Sequence, residues 1–274
     1  MYATTSIEPQ TKGYLSNIIK NTNEHQVDLL KINGLPNDAE KIKIDAIRAI
    51  EESVTSLTSM QIELQKNAHL IYDNLQKAAS LLKEDKETSN KLIENTYEIV
   101  LESEGELQQE LERNKETKAL FFNYSQQLHN SLLALEKENA KLTLEAQKAR
   151  NKANKFKKER YYFLALGPFG AAGLATATAL FATWSDKANK ANKAASRSKA
   201  RLKNLEVFED NILRLQDGFS LNIEALSGVQ NALGFLKGNI ENIENNTAGE
   251  NNTALELFLH AAVKEASILV LDVA

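Results

Sequence analysis

The scarcity of helix-breaking residues is the feature that most constrains the fold of this chain. The 274 residues include three prolines, Pro9, Pro36 and Pro168, and Gly105 is the only glycine between Pro36 and Gly167. A fold that contains sheets needs turn residues about every dozen positions, and this region lacks them. Because so little interrupts it, the sequence predicts long helices.

Apolar residues recur at alternating steps of three and four in three parts of the chain, as they do in supercoiled helices. These seams run from Ile47 to Leu82, from Phe121 to Ala146 and from Leu202 to Ile243. Each seam needs a helical partner, and the three seams of one chain can pack against one another. We therefore predict an all-α fold, an elongated up-and-down bundle of about five helices.

Local breaks divide the predicted bundle. The first helix should end near Asn33-Gly34-Leu35-Pro36, and a second break is expected near Gly105. An Asn-rich stretch, Asn242–Asn252, should precede a final helix from about Ala254 to Ala274. Residues 1–160 and 185–274 are thus predicted to form the bundle, and 161–184 a separate head.

The predicted head is an uncharged insert, Tyr161–Trp184, which reads YYFLALGPFGAAGLATATALFATW. As one helix it would be about 36 Å long, enough to cross a hydrocarbon core of about 30 Å. The interior turn sequence Gly167-Pro168-Phe169-Gly170 favours a hairpin instead. Because Leu174–Leu180 alternates larger residues with alanine, a weak strand signal, the hairpin is either a β-tongue or helical. The residues predicted to insert into a membrane are Tyr161, Tyr162, Phe163, Leu164, Leu166, Gly167, Pro168, Phe169, Gly170, Leu174, Leu180, Phe181 and Trp184.

Basic residues flank the insert on both sides. From Lys148 to Lys203 there are 14 basic residues against two acidic ones, a net charge of +12, so the rest of the chain carries −16. A single span usually has its excess of Lys and Arg on one side only, so two basic flanks suit a re-entrant hairpin. Such cations attract anionic lipid headgroups, at about 1 kcal/mol each. The predicted headgroup collar is Lys155, Lys157, Lys158, Arg160, Lys187, Lys190 and Lys193.

Other chemistry finds little support in the sequence. With no cysteine and four dispersed histidines, the chain shows no metal-site motif and no thiol nucleophile, and it has no nucleotide-binding glycine motif. Aromatic residues are not interleaved with the basic ones, which disfavours nucleic acid as a partner. We predict neither an enzyme nor a cofactor. Residues 1–13 lack a cationic segment followed by an apolar one, so we expect secretion without a classical signal peptide.

The predicted apolar hairpin has Gly167-Pro168-Phe169-Gly170 at its turn and lies between a Lys-rich helix and a long amphipathic helix that starts near Lys203. This arrangement resembles the cytolysin A (haemolysin E) family of α-pore-forming toxins. The related Hbl and Nhe enterotoxin components share this architecture. The resemblance implies a soluble form whose apolar tongue is folded against the bundle and is released at a target-cell membrane. It also implies assembly into a homo-oligomeric ring, alone or with other toxin components.

The resemblance further implies that an N-terminal amphipathic helix swings out and lines the pore. Thr11–Asn33 is the matching segment, and its roughly 23 residues, near 35 Å as a helix, could span a bilayer. Its candidate pore-lining residues are Leu15, Ile18, Ile19, Leu29 and Leu30.

Two other functions remain open at this stage. In the first, Tyr161–Trp184 is a permanent span of a membrane-anchored coiled-coil scaffold or receptor. In the second, the chain is a soluble bundle that binds partner helices, and the insert is a buried core hairpin. A toxin would be soluble until it meets a membrane, whereas an anchored protein would partition with membranes from the start.

Overall fold

A computed structural model describes residues 13–247 and 252–273. Within these ranges the chain forms five α-helices and no strand, which confirms the predicted all-α class. The helices are α1 (Tyr14–Leu30), α2 (Asn37–Leu81), α3 (Lys86–Ala165), α4 (Ala171–Thr247) and α5 (Asn252–Asp272), and a single 3₁₀ turn, Gly167–Gly170, separates α3 from α4.

The predicted break near Gly105 is wrong, because α3 passes through this residue without interruption. A helical glycine costs about 1 kcal/mol relative to alanine, too little to end a long helix that packs against its neighbours. The chain turns at 82–85 instead. Asp85 caps α3 there, since its carboxylate accepts hydrogen bonds from the Thr88 amide at 3.1 Å and the Thr88 hydroxyl at 2.6 Å.

The described residues 13–30, 44–122, 212–247 and 252–273 form a first compact unit. The predicted α2 seam from Leu57 to Leu82 and the predicted α4 seam from Leu226 to Ile243 lie in its core, and α5 adds a third apolar face. The buried side chains include Leu57, Leu64, Ile71 and Leu75 of α2, Leu226, Leu233, Leu236 and Ile240 of α4, and Leu255, Leu259 and Leu269 of α5. The helical periodicity therefore identified this core correctly.

Polar residues occupy much of the seam that α3 contributes to the first unit, between Ser89 and Asn114. Ile93, Val100 and Leu107 are buried, but they alternate with the buried polar residues Ser89, Thr96, Ser103, Glu110 and Asn114. Hydrogen bonds satisfy several of these groups, such as that from Asn67 Nδ2 to Ser103 Oγ at 3.1 Å. Apolar periodicity does not reveal such a seam, and it was not predicted.

Residues 31–43 and 123–211 form a second compact unit, in which α3 and α4 run as two long arms. Towards the hairpin, the buried positions of both arms hold small side chains. These are Ala146, Ala149 and Ala153 of α3 and Ala177, Ala188 and Ser198 of α4. Small residues let two helices approach closely, so the arms can continue as a narrow pair up to the turn.

Candidate membrane-interaction site

The hairpin reverses direction at the 3₁₀ turn, and two glycines make the reversal possible. A Cβ atom at Gly170 would clash with the carbonyl oxygen of Phe163, and one at Gly173 would lie 2.5 Å from the Phe163 ring. Both glycines therefore allow the start of α4 to approach the end of α3. The hairpin is helical on both arms, so of the two predicted forms the helical hairpin is confirmed and the weak strand signal at Leu174–Leu180 is wrong.

Five apolar or aromatic side chains at the end of this hairpin are exposed, and we call them the apolar tip. They are Tyr161, Tyr162, Leu164, Leu166 and Phe169, and Phe169 is 97% exposed. A cluster of large apolar side chains in water usually marks a site of interaction with a protein or a membrane. The expectation that the tongue is folded against the bundle is wrong for this structure, and so is the alternative of a buried core hairpin.

Six other members of the predicted membrane-inserting set are less exposed. Phe163, Leu174, Leu180, Phe181 and Trp184 are half-buried, and Gly170 is buried. The guanidinium carbon of Arg160 lies 5.2 Å from the centre of the Phe181 ring. The predicted set thus divides into the exposed tip and residues that are at least half-buried. The exposure of Gly167 and Pro168 lies outside what the structure describes.

The two basic flanks come together because they lie on antiparallel arms. Six members of the predicted collar are exposed, namely Lys155, Lys157, Lys158, Lys187, Lys190 and Lys193, and Arg160 is half-buried. Among the described residues, weak pairing alone reduces this charge: Lys155 lies 3.9 Å from Glu159, and Lys190 lies 2.8 Å from Asp186. Exposed pairs within one helix are worth only a few tenths of a kcal/mol, so the collar stays strongly cationic.

Trp184 lies against lysines from both arms. The Lys152 ammonium of α3 is 4.1 Å from the centre of its ring, and the Lys187 ammonium of α4 is 4.5 Å away. Trp184 was predicted to insert into the membrane and Lys187 to belong to the collar, whereas Lys152 was counted only among the basic residues of the flank. The contact between Lys152 and Trp184 has no signal in the sequence, because it depends on the register between two distant helices.

The candidate pore-lining helix is packed into the first unit. α1 has 17 residues and is about 26 Å long, whereas Thr11 lies outside the described residues. Leu15, Ile18 and Leu29 are buried, Ile19 is half-buried, and Leu30 is 54% exposed. In this structure, most of the predicted pore-lining side chains therefore form the docking face of α1.

Polar contacts accompany this docking of α1. Asn222 of α4 donates to the Thr22 hydroxyl at 3.4 Å, and both residues are buried. Gln26 donates to the Glu51 carboxylate at 2.8 Å. In the described part of the chain, no helix combines the length and hydropathy of a membrane span, and no group of three or more His, Asp or Glu side chains could hold a metal ion.

Solved structures of toxin components share this fold. Soluble AhlC of the tripartite alpha-pore forming toxin AHL from Aeromonas hydrophila has a TM-score of 0.77 at 17% identity. Its triple head mutant has a TM-score of 0.80 at 18% identity. Both matches cover 96% of this chain and 98% of the AhlC chain. YaxA from Yersinia enterocolitica has a TM-score of 0.55 at 11% identity, with 94% of each chain covered. No family model and no curated protein sequence matches the chain. The fold is therefore that of soluble AhlC, which confirms at the level of the fold the resemblance to α-pore-forming toxins of the cytolysin A and Hbl/Nhe type.

Proposed function

We propose that this chain is a soluble, non-enzymatic component of an α-pore-forming toxin. It inserts the head, residues 161–184, into the bilayer of a target cell and assembles there with further copies, alone or with other toxin components. The observation that supports this most directly is the exposed apolar tip beside the cationic collar. Structures with this fold include the AhlB pore of Aeromonas hydrophila and the SmhB pore of Serratia marcescens.

The energetics of the apolar tip favour transfer into lipid. Full burial of one large apolar side chain is worth about 1.5–3 kcal/mol. The five tip residues are between 43% and 97% exposed, so their transfer is worth on the order of 5–10 kcal/mol before the cost of association. The collar adds about 1 kcal/mol for each cation that lies close to an anionic headgroup.

The reach of the hairpin indicates its part in the pore. The α4 arm from Ala171 to Trp184 has 14 residues and is about 21 Å long, less than a hydrocarbon core of about 30 Å. An upright hairpin would therefore not cross the bilayer. We infer that the head attaches the protein to the membrane and that a complete pore needs α1 or another component.

The proposed role of α1 is to leave the first unit and line the pore through Leu15, Ile18, Ile19, Leu29 and Leu30. Its polar contacts with α2 and α4 support this, since Thr22, Gln26 and Asn222 exchange one polar partner for water when α1 undocks. The proposed function also requires the protein to reach other cells, so we propose that it is secreted.

Dye release from liposomes, combined with negative-stain imaging, tests the proposed function. Phe169→Glu at the tip should lower release at least tenfold, because a charge then has to enter the hydrocarbon region. Phe235→Glu is the matched control, since Phe235 is an equally large side chain on α4, 71% exposed and outside the head. It should leave release close to that of the wild type.

Three outcomes are informative. Release with ring-shaped particles supports pore formation by this chain alone. Binding without release supports attachment by one component of a multi-part toxin, provided that binding depends on Phe169. The proposed function is wrong if the wild type neither binds nor releases dye, or if Phe169→Glu and Phe235→Glu behave alike.

A further inference from the structure

A cleft of about 570 Å³ lies between α3 and α4 in the second unit, behind the hairpin. Its lining includes Glu145, Lys148 and Lys152 of α3 and Trp184, Lys187 and Lys190 of α4. Lys148 and Lys152 lie outside the predicted collar. Four lysines and one indole from two helices thus surround a single concave surface.

The cleft carries a net positive charge, because its four lysines outnumber the one carboxylate in its lining, that of Glu145. In the described part of the chain, no carboxylate forms an ion pair with Lys148, Lys152 or Lys187, whereas Lys190 pairs with Asp186. Both Lys152 and Lys187 lie within 4.5 Å of the centre of the Trp184 ring, so two like charges share one aromatic side chain. The ring attracts each of them, but it does not remove their mutual repulsion. An anion bound between the two ammonium groups would offset this repulsion.

The distance from the tip indicates what that anion is. Trp184 follows Phe169 by 15 residues, about 22 Å along a helix. Half of a hydrocarbon core is about 15 Å thick, and the headgroup layer outside it adds about 5–7 Å. When the tip reaches the middle of the bilayer, the cleft therefore lies at the level of the lipid phosphates.

We propose that this cleft binds the phosphate group of an anionic phospholipid, which rests on the proposed membrane insertion of the head. The ammonium groups of Lys148, Lys152 and Lys187 donate to the phosphate oxygens, and the indole of Trp184 lies at the interface beside them. The volume of about 570 Å³ exceeds what a bare phosphate needs and leaves room for the rest of a headgroup. Binding at the cleft differs from attraction to the collar, because it depends on particular lysines and not on total charge.

The sole tryptophan of the chain reports on this site directly. Trp184 is the only tryptophan, so the indole fluorescence comes from the cleft alone. The probes are vesicles of phosphatidylcholine, vesicles of phosphatidylcholine and phosphatidic acid in equal amounts, and inorganic phosphate in solution. We expect a blue shift and the tighter binding with the acidic vesicles.

Matched variants separate a specific site from general electrostatics. Lys148→Gln/Lys152→Gln removes two charges from the cleft, and Lys199→Gln/Arg201→Gln removes two exposed charges from the same basic segment outside it. The cleft variant should weaken binding to acidic vesicles by about thirtyfold, as expected for two well-placed cations, and the control by no more than about threefold. Circular dichroism should show the same helicity for both variants.

Equal weakening of binding by both variants overturns the proposal, since total charge then explains the binding. A fluorescence change with inorganic phosphate but none with acidic vesicles also overturns it, because the site then serves a soluble phosphate. Neither result affects the proposed function, which is judged by the dependence of vesicle binding and dye release on Phe169.

Discussion

Replacing Asn222 with leucine should hold α1 more tightly and slow pore formation. Asn222 interrupts the apolar seam of α4, and its Nδ2 lies 3.4 Å from the Thr22 hydroxyl of α1. A hydrogen bond of this length is weak. The Thr22 hydroxyl also donates to the Ile18 carbonyl at 2.8 Å, so it keeps a partner when the amide is removed.

The size of the effect follows from burial. Asn222 is only 4% exposed, and burying an amide with such poor compensation costs about 1–3 kcal/mol. Leucine avoids this cost and adds apolar contact. Because 1.4 kcal/mol corresponds to a factor of ten, the fraction of molecules with α1 undocked should fall by about 5-fold to 150-fold. Dye release should slow by the same factor if pore formation requires undocking, while binding to vesicles stays unchanged.

Hydrogen exchange of the α1 amides and stopped-flow dye release measure the two halves of this prediction. The double variant Gly105→Ala/Gly238→Ala is the control. A Cβ at either position meets no atom within 4 Å. Each change stabilises a helix by about 1 kcal/mol and leaves the Thr22–Asn222 contact in place. The reasoning is refuted if Asn222→Leu leaves exchange in α1 unchanged. If exchange slows but dye release does not, undocking of α1 is not the limiting step.

Three further predictions concern stability. Glu110→Ala should lower the free energy of unfolding in urea by about 2–4 kcal/mol, since the buried carboxylate accepts hydrogen bonds from Ser56 at 2.5 Å and Asn114 at 2.9 Å; a loss below 1 kcal/mol would contradict this. Gly170→Ala should speed hydrogen exchange in the hairpin, because its Cβ clashes with the Phe163 carbonyl oxygen, and unchanged exchange would show that the turn is adaptable. Burial, and then the neighbouring carboxyl of Glu63, raises the pKa of Glu106 from 4.5 to about 6. The stability that protonated Glu106 contributes is therefore present below pH 4.5 and lost as the pH rises through about 6. Melting temperatures should show the wild type losing stability relative to Glu106→Gln over that interval, and parallel curves would refute the assignment.

Much of the fold follows from local sequence, because helix-forming runs and apolar periodicity need no tertiary information. The seams of α2 and α4 are examples, and so is the turn at Gly34, which adopts a φ of +73°. The start of α3 was not predicted, although Asp85 is a good capping residue. The part of the α3 seam between Ser89 and Asn114 was missed because Thr96 and Ser103 occupy core positions that hydrophobic periodicity does not recognise.

The candidate site was less predictable than the fold. Composition alone identified the uncharged insert and its basic flanks, but the exposure of the tip depends on what covers it, which no local pattern specifies. The form of the hairpin depends on the adjoining helices, since α3 and α4 simply continue into it. The approach of Lys152 to Trp184 depends on the register between the two arms, which needs the packing of the small residues beside them.

The exposed tip changes which step should control pore formation. A tongue buried against the bundle would have to give up its contacts before it entered lipid, so its transfer would be nearly balanced in free energy. The tip in this structure has fewer contacts to lose, because Phe169 is 97% exposed and the other four tip residues are 43–64% exposed. Attachment should therefore be spontaneous and fast, whereas α1 has to surrender the buried side chains Leu15, Ile18 and Leu29 before it can move. On this reasoning membrane binding precedes permeabilisation, and the delay between them reports the stability of α1 docking and not that of the head.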